Sequence, residues 1–124
     1  MLRCAALLDL GRRDEAAEIL AGLARDGFAA MRGDLAYRFV PDLLSEACLA
    51  LGDTAAAAAL HDLLLPHQGR LLGWSVTDLC LARLALARDD REAAGRRLRA
   101  ALALVRRSGA ALYEKPILAL LDRV

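Results

Sequence analysis

Apolar positions recur along the chain at three- and four-residue intervals, interrupted by glycine, proline or charged pairs, and this spacing predicts a succession of helices. Residues 2–10 read as the first, with Leu7, Leu8 and Leu10 among its apolar positions. Gly11 stops it, because glycine takes the left-handed conformation at a helix end without steric cost. The second runs from about Asp14 to Arg25, with Ala16, Leu20 and Leu23 on one face. "DGFAAMRGD" reads as a loop, after which Tyr37 and Phe39 lead to Pro41, a residue suited to a helix's first turn. A third helix extends from Pro41 to Leu51 and ends at Gly52. Asp53 is placed to cap a fourth, which reaches about Leu65 ahead of Pro66. Beyond the longest break, "PHQGRLLGW", helices are expected from about Ser75 to Arg88, from about Asp90 to Arg107, and from about Ala110 to the end.

The turns align with one another. With Gly11, Gly52 and Asp89 taken as the turns of three hairpins, alanine follows five residues later in each: Ala16, Ala57 and Ala94. Seven residues before the turn stand Cys4, Ser45 and Ala82, all small; four before stand Leu7, Cys48 and Ala85. Nine residues after come Leu20, His61 and Leu98, and twelve after come Leu23, Leu64 and Ala101. Two helices cross closely where small residues occupy the contact, and the later positions share the alanine's face at i+4 and i+7. Asp89 followed by Glu92 has the capping-box spacing. The pitch is 41 residues and then 37, longer than the ~34 of the standard tetratricopeptide unit. The expected fold is all-α: antiparallel helical hairpins stacked as a tetratricopeptide-like right-handed solenoid of about seven helices. Residues 1–124 would form a single domain, with units of about 1–27, 37–66 and 74–108 and a final helix over 110–124.

Three segments carry a family resemblance: "LRCAALLDLGRRDEAAEILAGLARDGFA", "EACLALGDTAAAAALHDLLLPHQGR" and "LARLALARDDREAAGRRLRAALALVRRSGA". Together they resemble the C-terminal helical-repeat region of large bacterial ATPase-type transcriptional regulators of the LuxR and SARP kinds. In that family a segment like Leu63 to Arg70 follows the second helix of a repeat, and one like Ala100 to Ala110 closes a later one. The family has small or glycine residues at the third turn, where this chain has Asp89. The resemblance implies a cytoplasmic regulator segment. It also implies an alternative, because related regulators can bind small-molecule inducers on their repeats; Trp74, just after the long break, is the residue that could line such a pocket.

Composition agrees with helices and narrows the compartment. The chain has 124 residues, 57% of them hydrophobic and 27% charged, with aromatics at 4%, so the core must be built from Leu and Ala, both strong helix formers. A formal net charge of +1 supplies no overall field toward nucleic acid or a membrane. Cys4, Cys48 and Cys80 are odd in number and lack CxxC spacing, as expected of buried thiols in a reducing cytosol. Charges interrupt every apolar run short of a membrane span, and the N-terminus lacks the pattern of a secretory signal. A cytoplasmic location follows as the expectation.

Catalytic signatures are missing. Lys115, the one lysine, sits in "YEKPI" without the preceding glycines of a phosphate-binding loop. There is no GxSxG elbow and no HExxH, and His61 and His67 are separated by a proline-containing stretch, so no cofactor or metal is expected. His61 reads as an interhelical residue. Arg88, Arg91, Arg96, Arg97, Arg99, Arg106 and Arg107 crowd one segment. The absence of interleaved aromatics and the near-neutral chain favour a solvated face over direct nucleic-acid contact.

What remains is a surface. Asp42 and Glu46 lie at i and i+4, and with Leu49 they occupy first-helix positions that would face a concave groove. Leu79, Arg83 and Leu86 hold the corresponding places in the third unit. Such a lining suits a peptide or a partner helix. The expected function is a non-catalytic scaffold that binds a neighbouring domain, another copy of itself or a regulatory protein. Met1 almost inside a helix and the unterminated "LALLDRV" suggest a piece of a longer protein, with an uncovered apolar end that drives self-association. The proposed register has a direct check. Ala57→Leu should overpack its hairpin and cost about 1–3 kcal/mol in urea unfolding, whereas Ala55→Leu should be mild; equal costs would refute the register.

Overall fold

Each of the three hairpins turns on the same backbone device. Gly11, Gly52 and Asp89 have φ of 75°, 63° and 58°. The residue after each donates its backbone N–H to the carbonyl five positions back: Arg12 to Leu7 at 2.8 Å, Asp53 to Cys48 at 3.3 Å, and Asp90 to Ala85 at 2.8 Å. This is the bond of a Schellman cap, which satisfies a carbonyl the helix end would otherwise leave open. A Cβ at Gly11 or Gly52 would meet no atom within 4 Å, so glycine is favoured there by backbone conformation rather than by space.

The computed structural model describes residues 2–29, 40–72 and 75–124. Its elements are α1 (Leu2–Asp9), α2 (Arg13–Arg25), α3 (Val40–Leu51), α4 (Thr54–Leu64), β1 (Leu71–Leu72), β2 (Ser75–Val76), α5 (Thr77–Ala87), α6 (Arg91–Ser108) and α7 (Glu114–Leu121). The chain is therefore all-α, with seven α-helices among the described residues; β1 and β2 form only a two-residue antiparallel ladder, pairing Leu71 with Val76 and Leu72 with Ser75.

Helix ends differ from expectation in three places. The long break closes into the β1–β2 ladder, which delays α5 to Thr77. Residues Ala111–Tyr113 form a 3-10 turn, so α7 starts at Glu114. The cap of α6 is Asp90, whose Oδ1 accepts from Ala93 N at 3.1 Å, and not Asp89. Asp89 cannot serve as the cap because it is the left-handed turn residue itself. Asp53 does cap α4, accepting from Ala56 N at 2.9 Å.

Packing follows the turn register. Cys4, Ser45 and Ala82, seven before the turns, are fully buried, and so are Ala16, Ala57 and Ala94, five after. In the first hairpin the two positions meet directly, with the Cys4 thiol donating to the Ala16 carbonyl at 3.4 Å. Leu20 and Leu98 are fully buried at the ninth position after the turn, whereas His61 keeps 27% of its side chain exposed there. Besides pairing within hairpins, α1 packs on α3 and α3 on α5, while α2 lies against α4 and α7 against α6. Near neighbours in the chain are thus neighbours in space.

Two hydrophobic clusters result. The first runs from α1 to α5; the second joins α5, α6 and α7 around Leu79, Leu98, Val105 and Ile117. Helix α5 belongs to both, through Cys80, Leu81 and Leu84 on one side and Leu79 and Ala82 on the other. Phe28 enters the first cluster fully buried from a loop position with φ 59°, a conformation costly for an aromatic and held by that burial. Tyr37, Phe39 and Trp74 lie outside the described residues.

The third turn supplies a test. Because Asp89 stands where the other hairpins have glycine, Asp89→Gly should raise the free energy of unfolding by about 1 kcal/mol. Gly52→Ala should lower it by about as much. Urea denaturation of both variants measures this, and two shifts of the same sign would contradict the assignment.

Candidate functional site

Of the residues expected to line a groove, Asp42, Glu46 and Arg83 meet where α3 crosses α5. Asp42 and Glu46 stand one helical turn apart on α3, which puts both carboxylates on one face. Arg83, 41 residues further on, projects from α5 into that face. Its Nη1 donates to Asp42 Oδ1 at 2.6 Å and to Ser45 Oγ at 3.3 Å, and its Nη2 reaches Glu46 Oε1 at 3.2 Å. The Arg83 side chain is 7% exposed, against 34% for Asp42 and 56% for Glu46. The three charges thus form a clasp: a buried cation held by two carboxylates that still reach water.

The groove itself lies beside this clasp. A hollow of about 350 Å³ is bounded by Glu46, Leu49 and Ala50 of α3, Arg83 of α5, and Pro116, Ala119 and Leu120 of α7, with Arg123 at its far end. Leu49 is half-buried on its wall. Leu79 is different: it is 1% exposed and packs in the second cluster, turned away from any partner. The corresponding position in the second hairpin is Asp42, so one register position is core in one unit and clasp in another. Leu86 is half-buried in the last turn of α5.

A second ionic group was not legible in the chain. Asp78, 2% exposed in the first turn of α5, accepts from Gly69 N at 2.9 Å and lies 3.3 Å from Arg97 Nη1, which also donates to Gln68 Oε1 at 2.7 Å. It pins the connection after α4 onto α5 and α6. An acidic residue opening a helix ordinarily serves the helix dipole, which hides this role from the sequence. The arginines of α6 are otherwise on the surface, with Arg96 paired to Glu92 at 3.1 Å and Arg106 to Glu114 at 2.7 Å.

Nucleophilic chemistry finds no support in the thiols. Burial pushes Cys80 up to about 12, and the neighbouring Arg83 guanidinium offsets only part of that. Burial, reinforced by the Asp53 carboxylate, likewise pushes Cys48 up to about 12, and burial raises Cys4. All three stay protonated near neutrality, when the thiolate is the reactive form. Among the described residues no cluster of three or more His, Cys, Asp or Glu could hold a metal ion, and no helix is long and apolar enough to cross a membrane.

Compared with known proteins, the chain matches no family model, no curated protein and no solved structure.

The clasp has an asymmetric energetic signature. Asp42→Asn combined with Glu46→Gln strands a buried guanidinium and should cost about 3 kcal/mol. Arg83→Met leaves two carboxylates that water can solvate and should cost about 1 kcal/mol or less. The reverse order in urea unfolding would show that burial of Arg83 is not the controlling quantity.

Proposed function

We propose that the chain is a non-catalytic scaffold: a tetratricopeptide-like, right-handed stack of helical hairpins that serves as a protein–protein interaction segment of a cytoplasmic bacterial transcriptional regulator. The supporting observation is the groove between α3 and α7. Its floor and walls are apolar at Leu49, Ala50, Pro116, Ala119 and Leu120, while Glu46, Arg83 and Arg123 place charges of both signs on it. A helix with apolar residues at i, i+3 and i+4 would lie along such a surface, with the rim charges setting its register. The threefold recurrence of turn, small residue and alanine supports the stacked-hairpin reading, because nearest-neighbour burial is what holds such arrays together.

The partner taken here is a second copy of the chain. Leu112 is 84% exposed and Leu118 43% exposed, on and just before α7, so the helix that borders the groove also presents apolar surface outward. Light scattering over a range of concentrations should give a mean mass that rises above the monomer. Ala119→Arg, which fills the groove from an exposed position, and Leu118→Glu should each return the mass to the monomer value. A strictly monomeric wild-type chain at every concentration would end this reading.

A further inference from the structure

Between α4 and α6 the hairpins part, and the residues at the parting are those that carry packing elsewhere. Counted from the turn, positions four, seven, eight and eleven of the second hairpin are Ala56, Ala59, Leu60 and Leu63. All four sit in or against the first hydrophobic cluster, where α4 lies beside α2. The same four positions in the third hairpin are Ala93, Arg96, Arg97 and Ala100. Two guanidinium groups stand where an alanine and a leucine pack in the unit before. Helix α6 makes no more than glancing contact with α4, and a cleft of about 510 Å³ opens between them, lined by these same four residues.

The cleft's other walls extend the pattern. Arg88, at the end of α5, and His61, on α4, face into it, and Leu81 and Ala85 form an apolar floor. Three guanidinium groups against the single carboxylate of Asp90 leave the lining with net positive charge. That carboxylate is also engaged, since it caps α6 through Ala93 N. Arg97 is held in place by Gln68 and Asp78. Arg96 is tied to exposed Glu92, a surface pair that a competing anion readily replaces, and Arg88 pairs with no carboxylate among the described residues. The volume is that of a small-molecule site, and a dianion with an apolar body matches both the charge and the floor.

We infer that this cleft binds a small organic phosphate, with Arg88, Arg96 and Arg97 holding the phosphate and Leu81 and Ala85 receiving the apolar body. The site goes beyond the scaffold function and lies away from the α3–α7 groove. Its occupation would bridge α4 and α6 where direct packing is lacking, and so add to the contacts that α5 already makes between the third hairpin and the second.

Phenyl phosphate and inorganic phosphate, titrated into ¹⁵N-labelled protein at constant ionic strength, test the site. Saturable shifts should concentrate at residues 88–97 and at His61, with phenyl phosphate binding more tightly than inorganic phosphate. Arg88→Gln and Arg96→Gln, both exposed positions outside the cores, should each weaken phenyl phosphate by about tenfold. Arg107→Gln, the same charge change elsewhere on α6, should leave its affinity unaltered. An equal loss in Arg107→Gln, shifts reproduced by sodium chloride, or titration without saturation would overturn the inference. A duplex oligonucleotide that binds where phenyl phosphate does not would overturn it too, and would make the arginines a polyanion surface. Phosphate binding by a strictly monomeric chain would retire the scaffold reading alone, whereas self-association without phosphate binding would retire this one.

Discussion

The structure depends on burying α5 from every side. From Thr77 to Ala85 each residue of this helix is at most 9% exposed, and two hydrophobic clusters meet across it. A helix buried all round must ordinarily be apolar all round. This one carries Asp78 and Arg83, and an isolated buried charge is far more costly than the packing it displaces. Both charges are therefore matched by groups from other elements: Arg83 by Asp42, Ser45 and Glu46 of α3, and Asp78 by Gly69 and Arg97. The two matches tie α5 to α3 on one side and to α6 and the preceding connection on the other.

Around that helix, close approach is set by small side chains. Cys4, Ser45 and Ala82 before the turns and Ala16, Ala57 and Ala94 after them are all fully buried, and the three turns share one backbone conformation. Small residues at the crossing let the paired helices approach, and the larger leucines beyond it fill the space between hairpins. The array is not uniform. Where the second hairpin packs its predecessor with Ala59 and Leu60, the third presents Arg96 and Arg97. Long, charged side chains cannot fill a dry seam, so the seam opens. This cleft and the α3–α7 groove thus have different origins. One lies beside the Arg83 clasp and is apolar; the other exists because arginine replaced a packing residue and is basic.

Helices, turns and hairpin register were all legible in the chain, because each rests on local chemistry. A glycine or aspartate at a left-handed turn, a small residue seven before and an alanine five after are readable without knowing what packs where, and the structure buries every one of those small positions. The carboxylate pair of Asp42 and Glu46 was visible as a helix face, and Arg83 as its counterpart one unit on. Their closure into a clasp was not visible, since periodicity says which residues share a face and not whether two faces touch. Leu79 shows the limit most plainly. It occupies the same register position as Asp42, yet it is core, because α5 has α6 and α7 beyond it. Phe28 sits in a loop where no periodic pattern marks it; its burial is a matter of where the loop returns.

The sequence by itself determined the helices and their pairing into hairpins, because those depend on dihedral preferences and on contacts across a few turns of chain. The tertiary structure alone decided which charges are buried and paired, which leucines are withdrawn from the surface, and where α4 and α6 part around a basic cleft. Those outcomes depend on contacts between residues 19 to 41 positions apart, such as Asp78 with Arg97 and Asp42 with Arg83. Over such separations it is the meeting of helices, and not the spacing within any one of them, that sets the local dielectric and the packing.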